Sequence, residues 1–143
     1  MRLMRLYINK MNHLFFKEHI DSREGIFSNI LEYNSIKSFE SSFGKLIHGE
    51  INFVHLGIQD YREAWNLQKK IHEMNKNLEI PDLVIFLEHN NVYTFGKNSD
   101  KDYLLNSHPE AEIVQSDRGG QVTYHGPGQL VGYPIINLNN YKK

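Results

Sequence analysis

The clearest pattern in the chain starts at Asp60. Apolar residues then recur at Ala64, Leu67, Ile71, Met74 and Leu78, in steps of three and four that line one face of an α-helix. Asp60 stands where an N-cap belongs, Lys69, Lys70, Glu73 and Lys76 take the wet side, Trp65 flanks the stripe, and Pro81 ends the unit. Before this helix, Ile51-Asn52-Phe53-Val54-His55-Leu56 reads as a strand closed by Gly57. After it, Leu83–Glu88 and Val92–Phe95 read as two strands around Asn90-Asn91, a turn dipeptide because Asn tolerates the left-handed conformation, and Gly96 breaks the second strand. A polar loop over 97–109 leads to a short strand, Glu112–Gln115. Gly120–Tyr124 and Gln129–Leu138 then complete a sheet, joined through Gly126-Pro127-Gly128. The order of strand, helix and several strands predicts an α+β fold rather than repeated βαβ units.

The first 50 residues read differently. Ile26, Phe27, Ile30, Leu31, Phe39, Phe43, Leu46 and Ile47 give a loose helical pattern over 24–49, diluted by serines, which fits one or two weak helices or part of a leader. From Met1 to Lys17 the charged residues are Arg2, Arg5, Lys10 and Lys17, with no acid before Glu18, a balance shared by organellar transit segments and by a plain basic tail. The organisation expected is therefore an N-terminal extension over 1–50, carrying a targeting leader, followed by one domain over 51–143.

Composition narrows the function classes. A formal net charge of −1 gives no clustered basic face for a nucleic acid. The absence of cysteine removes disulfides, thiolate-bound zinc and a thiol nucleophile from these residues. The eight histidines show no HExxH spacing, no G-x-S-x-G marks a serine nucleophile, and no metal or cofactor is expected. The longest apolar run, Leu83-Val84-Ile85-Phe86-Leu87, is far short of the ~20 residues of a membrane span.

Half of the ten glycines fall between 119 and 132. In the run Arg118-Gly119-Gly120-Gln121-Val122-Thr123-Tyr124-His125, paired glycines let a ligand approach bare backbone N–H groups. Arg118 adds a planar, permanently charged donor, and His125 a group that titrates near neutrality, aimed by the Gly-Pro-Gly turn. This combination suits a small acyl or anionic ligand. The same residues also fit a β-bulge followed by a hairpin turn.

The run RGGQVTYHGPGQLVGYPIINL, Arg118 to Leu138, resembles the signature of the octanoyltransferase (lipoate-protein ligase B) family. Upstream, Tyr61, Ala64-Trp65 and Gln68 resemble that family's helix motif, and Leu87-Glu88-His89 with Val92-Tyr93-Thr94-Phe95-Gly96 resembles its strand pair, although Asn90-Asn91 stands where the family often has Pro. The likeness covers about residues 51–143. It implies a mixed sheet with flanking helices like the biotin and lipoate ligase catalytic domain, C-terminally truncated. It also implies transfer of an octanoyl group from acyl carrier protein to a lysine of a lipoyl domain, either in a 2-oxoacid dehydrogenase complex or in the glycine cleavage H protein, by a monomer. Arg118, Gly119, Gly120, Gln121, Val122, Thr123, Tyr124 and His125 match the family's substrate-binding element. There Gly119-Gly120 would line the octanoyl tunnel, Val122, Thr123 and Tyr124 would face alternate sides of the strand, and His125 would lie near the thioester carbonyl, steering it or the incoming amine. The catalytic lysine and cysteine of the family lie downstream of this strand, so no catalytic residue is assigned and the chain alone is expected to be inactive. The alternatives are an ATP-dependent lipoate or biotin ligase, disfavoured because Gly126 follows His125, and a non-catalytic acyl-binding fragment. With its leader and an Asn-rich, Ala-poor composition, the chain is expected in a plastid, an apicoplast or a mitochondrion, and otherwise in the cytoplasm.

Overall fold

The structure, a computed structural model, describes residues 6–9, 30–100 and 109–141. In chain order the elements are β1 (Leu6–Asn9), β2 (Ile30–Glu32), helix α1 (Ile36–Glu40), β3 (Asn52–Gln59), helix α2 (Tyr61–Lys76), β4 (Leu83–His89), β5 (Val92–Phe95), β6 (Glu112–Gln115), β7 (Val122–His125) and β8 (Gln129–Ile135). Single 3-10 turns follow at Phe43–Lys45 and Leu138–Asn140.

Helix α2 forms where the pattern places it. The Asp60 carboxylate accepts the Glu63 backbone N–H at 3.0 Å, satisfying one of the free donors of the first turn. Its inner face buries Ala64, Leu67 and Ile71, with Met74 packed beside them. Leu78 departs from the expected stripe. The helix ends at Lys76, and Leu78 lies in the turn beyond it with φ +61° and its side chain exposed.

Five strands form a mixed sheet in the order β1-β8-β4-β3-β2. Strands β2, β3 and β4 run parallel, β8 runs antiparallel to both β4 and β1, and α1 and α2 are the crossovers between the parallel strands. The fold is α+β as expected, and within it β2-α1-β3-α2-β4 makes two successive parallel crossovers that the order of strand, helix and several strands did not reveal. Ile30–Glu32 is a strand, not helix, and its three residues are too few for a period to show. Gly57 does not close β3 either. At φ +63° it makes a bulge where pairing with β4 slips between His55 and Ile58, and the strand continues to Gln59.

One face of this sheet carries Val54, Leu56, Leu83, Ile85, Leu87, Val131, Tyr133 and Ile135, buried under α1 and α2. Phe39 of α1 and Leu46 complete the same core, with Leu31 of β2 packed against it. The expected domain boundary at residue 50 therefore does not coincide with an edge of the core. Ile26, Phe27 and most of the proposed leader lie outside the described residues. Among the described residues no helix is long and apolar enough to cross a membrane, and no group of three or more metal-ligating side chains gathers.

The second sheet has the order β6-β5-β7, with β5–β6 parallel and β5–β7 antiparallel. Val92 and Val114 on its inner face pack against Tyr61 and Trp65 of α2. The two turns read as sheet-internal connections are instead crossings between sheets. Asn90-Asn91 carries the chain from β4 of the large sheet to β5 of the small one, and Gly126-Pro127-Gly128 carries it back from β7 to β8. Turn chemistry alone does not say whether the strands on either side pair with each other.

Candidate functional site

The two crossings stand side by side. The Tyr124 hydroxyl donates to the Asn91 side-chain carbonyl at 2.7 Å, and the Glu88 carboxylate accepts the Gly128 N–H at 2.7 Å. A Cβ on Gly126 would stand 2.5 Å from the Tyr124 hydroxyl and 2.8 Å from Asn91 Oδ1, so glycine leaves room for the Tyr124–Asn91 hydrogen bond.

The loop that leads into β7 is fastened to the end of β5. Lys97 N–H donates to the Arg118 carbonyl at 2.8 Å, Gly96 N–H to the Gln121 carbonyl at 3.3 Å, and the Ser116 hydroxyl to the Phe95 carbonyl at 2.9 Å. The Arg118 guanidinium turns inward. It donates to the Thr94 carbonyl, to the Thr94 hydroxyl at 2.9 Å, and to the Gly119 carbonyl at 3.0 Å. These bonds make it a clamp between the loop and a fully buried residue of β5. Gly119, Gly120 and Gln121 are exposed. A Cβ on Gly119 would meet nothing within 4 Å, whereas Gly120 has φ +87°. The backbone of Gly119 and Gly120 is exposed. Among the described residues it forms an open ledge.

Strand β7 turns its side chains alternately. Its pairings set Val122 opposite Phe95, Thr123 opposite Thr94, Tyr124 opposite Tyr93, and His125 opposite Val92. Val122 and Tyr124 take the outer face with Tyr93, whose ring lies 5.1 Å from that of Tyr124. Thr123 and His125 take the inner face. His125 is fully buried, with its Nδ1 2.5 Å from Gln129 Oε1. It therefore sits behind the glycine ledge rather than on it.

Around His125 lies a cluster the sequence reading did not single out. Tyr61 stacks on its ring at 6.2 Å, and the His89 ring meets it edge-on at 5.6 Å. His89, also fully buried, is held by the Gln59 carbonyl at Nδ1 (3.1 Å) and by the Tyr133 hydroxyl at Nε2 (2.7 Å). Tyr61 and His89 both belong to the upstream motifs that carry the family likeness, so the signal was there. A linear pattern gives no hint that the two motifs converge on one ring.

Two cavities, of about 380 and 330 Å³, lie elsewhere. The first is lined by His48, Glu50, Asn75, Asp82 and Tyr141 among others, the second by His72, Lys76, Asn137 and Leu138, and neither touches residues 118–125. Asp82 is a hub beside the first. It accepts from the Asn137 N–H at 2.8 Å, the Asn75 amide at 3.0 Å, the Tyr141 hydroxyl at 2.8 Å and the Asn140 amide at 3.4 Å. Burial pushes its carboxyl upward, but these donors together outweigh burial and hold it below the usual range. Burial, then the bond and charge of Asp82, push the Tyr141 phenol up to about 12.

The sequence profile of the lipoyl protein ligase A/B catalytic domain matches residues 60–143, more than half of the chain. The chain belongs to that family. Among similar members is the octanoyltransferase of Christiangramia forsetii, 42% identical over 108 residues that cover 64% of this chain and 46% of the relative. That of Corynebacterium efficiens is 47% identical over 89 residues, 62% of this chain and 34% of the relative. The chloroplastic octanoyltransferase LIP2p2 of Arabidopsis thaliana is 47% identical over 89 residues, 57% of this chain and 32% of the relative. The chain thus spans less than half the length of these curated relatives. The family span runs from the N-cap of α2 onward, so it includes the crossing corner, the glycine ledge and the buried histidine cluster.

Proposed function

We propose that these residues form the acyl-binding part of an octanoyltransferase. The observation that carries this reading is the exposed Gly119-Gly120 backbone, clamped by Arg118 to Thr94, inside a span 42–47% identical to octanoyltransferases. The donor is octanoyl-acyl carrier protein, and the acceptor is a lipoyl-domain lysine of a 2-oxoacid dehydrogenase complex or of the glycine cleavage H protein. In the net reaction the thioester C–S bond breaks, an amide C–N bond forms on the lysine, and the amine proton passes to the released thiol. Because the thioester supplies the driving force, no nucleotide is needed. The chain contains no cysteine, so the acyl-accepting thiol and its lysine partner are not assigned within it.

The site comprises Arg118 to His125, with unequal roles. Gly119, Gly120 and Gln121 offer backbone and a polar side chain to the acyl carbonyl end. Val122 and Tyr124 supply apolar surface, and Thr123 and His125 support it from within. The test is binding of octanoyl-pantetheine, followed by calorimetry. Gly119→Leu fills space that is empty in the protein and should weaken binding at least tenfold with little loss of stability. Gly120 is a poorer target, since any side chain there is strained at φ +87°. Unchanged affinity in Gly119→Leu refutes the ledge. Adenylate formation from ATP and lipoate would replace the transferase reading by a ligase.

We assign the protein to a plastid, apicoplast or mitochondrion. The chloroplastic relative and the basic start of the chain support this, while the bacterial relatives favour the cytoplasm. Because β2 and Phe39 belong to the core, a targeting reporter should carry residues 1–29 only. A reporter that stays cytosolic overturns the assignment.

A further inference from the structure

We propose that His89 is a positioning residue for this site, acting through His125 and fixing that ring with its proton on Nδ1. The proposal rests on the acyl-site reading above for its functional meaning, but not for its test.

The argument starts from His89. A backbone carbonyl can only accept a hydrogen bond, so the contact between Nδ1 and the Gln59 carbonyl puts a proton on Nδ1. With that proton on Nδ1, Nε2 of the neutral ring is an acceptor. The Tyr133 hydroxyl therefore donates to Nε2. His89 is held at both nitrogens, by the end of β3 on one side and by the middle of β8 on the other. Its ring cannot rotate without breaking a hydrogen bond.

This fixed ring is one wall of the slot that holds His125. Tyr61, stacked at 14° between ring planes, is the other, and Tyr61 in turn contacts His89 at 5.1 Å. Between these two rings, Nδ1 of His125 meets Gln129 Oε1 at 2.5 Å. An amide oxygen can only accept, so the proton of His125 also sits on Nδ1. This is the tautomer that free histidine disfavours in water, so its presence requires a cause in the fold. The functional consequence is directional. With Nδ1–H spent on Gln129, Nε2 of His125 can accept a hydrogen bond but cannot donate one. The ring is fully buried behind the ledge, so this fixed polarity supports strand β7 from within and reaches the acyl substrates only through the strand.

The test is two-bond proton–nitrogen NMR on the whole 143-residue chain labelled with 15N-histidine, assigned with single variants. Wild type should show His89 and His125 both as Nδ1–H tautomers near neutral pH. His125 observed as Nε2–H overturns the proposal directly, and this reading needs no variant. His89→Gln keeps a donor for the Gln59 carbonyl and an acceptor for Tyr133 but removes the ring wall. In it the His125 tautomer ratio should move toward Nε2–H by about two- to tenfold, the scale of one hydrogen bond losing its alignment. Tyr133→Phe keeps every ring and removes only the donor to His89. It should shift the His89 Nε2 resonance and leave His125 as Nδ1–H. A merely structural role for His89 would lower stability in His89→Gln without moving the His125 ratio, and that result also overturns the proposal. Octanoyl-pantetheine is then added to the wild type. If the tautomers stand but no resonance of His125 responds, the acyl-site reading fails and the positioning of His125 survives.

Discussion

Gly96 follows the last residue of β5, where the loop carrying Arg118 and Gly120 crosses it. A Cβ at Gly96 would stand 1.9 Å from the Gly120 carbonyl oxygen, 2.8 Å from its carbon and 3.2 Å from the Arg118 oxygen. All three are backbone atoms, so no side chain can swing away. To reach ordinary contact the Gly120 carbonyl must retreat by about 1.5 Å. The bonds Gly96 N–H to Gln121 and Lys97 N–H to Arg118 lie directly in that path. Losing both costs about 2 kcal/mol, and residual overpacking adds about 1–2 kcal/mol, so Gly96→Ala should destabilise by about 3–4 kcal/mol. For a chain of this size that corresponds to a fall in Tm of roughly 10 °C. Thermal and urea unfolding followed by circular dichroism measure it. A variant whose midpoint stays within one degree of wild type would falsify the close approach, and with it the account of why the ledge stands where it does.

Other expectations are simpler to state. Ile71→Ala empties a fully buried position of α2 under the large sheet and should cost about 3 kcal/mol by urea unfolding. The Asp82 carboxyl lies below its usual range, so its contribution is present at neutral pH and disappears as pH falls through its folded value. Asp82→Asn should therefore flatten the acid limb of the stability profile, and an unaltered limb contradicts the hub. Tyr141 has the opposite sign: raised to about 12, it favours the fold below pH 10 and loses that contribution between 10 and 12. Spectrophotometric titration should find a tyrosine ionising near pH 12 that Tyr141→Phe removes.

What the sequence conveys is set by whether the informative contacts are local. Helix α2 and its cap were legible because their residues meet within one turn. The edges of β5 and β6 and the start of β4 are legible because short apolar runs and the turn residues beside them are local signals. Leu78 was misread because a position two residues past a helix end still falls on the same period. Strand β2 escaped because three residues carry no period, and the sheet to which a strand belongs depends on partners 23 to 52 residues away. At the site, the bare Gly119-Gly120 backbone followed from residue type alone. The inward turn of Arg118 did not, because Thr94 lies 24 positions earlier. The burial of His125 depends on Tyr61 and His89, brought in from two other elements.

The paired crossings between sheets set a reading frame. In a strand, losing or gaining one residue exchanges the two faces. A one-residue deletion within 90–91 would turn Tyr93 inward and Val92 outward, and one within 126–128 would invert β8 relative to β7. Length variation among members of the family should therefore be absent from these two short turns.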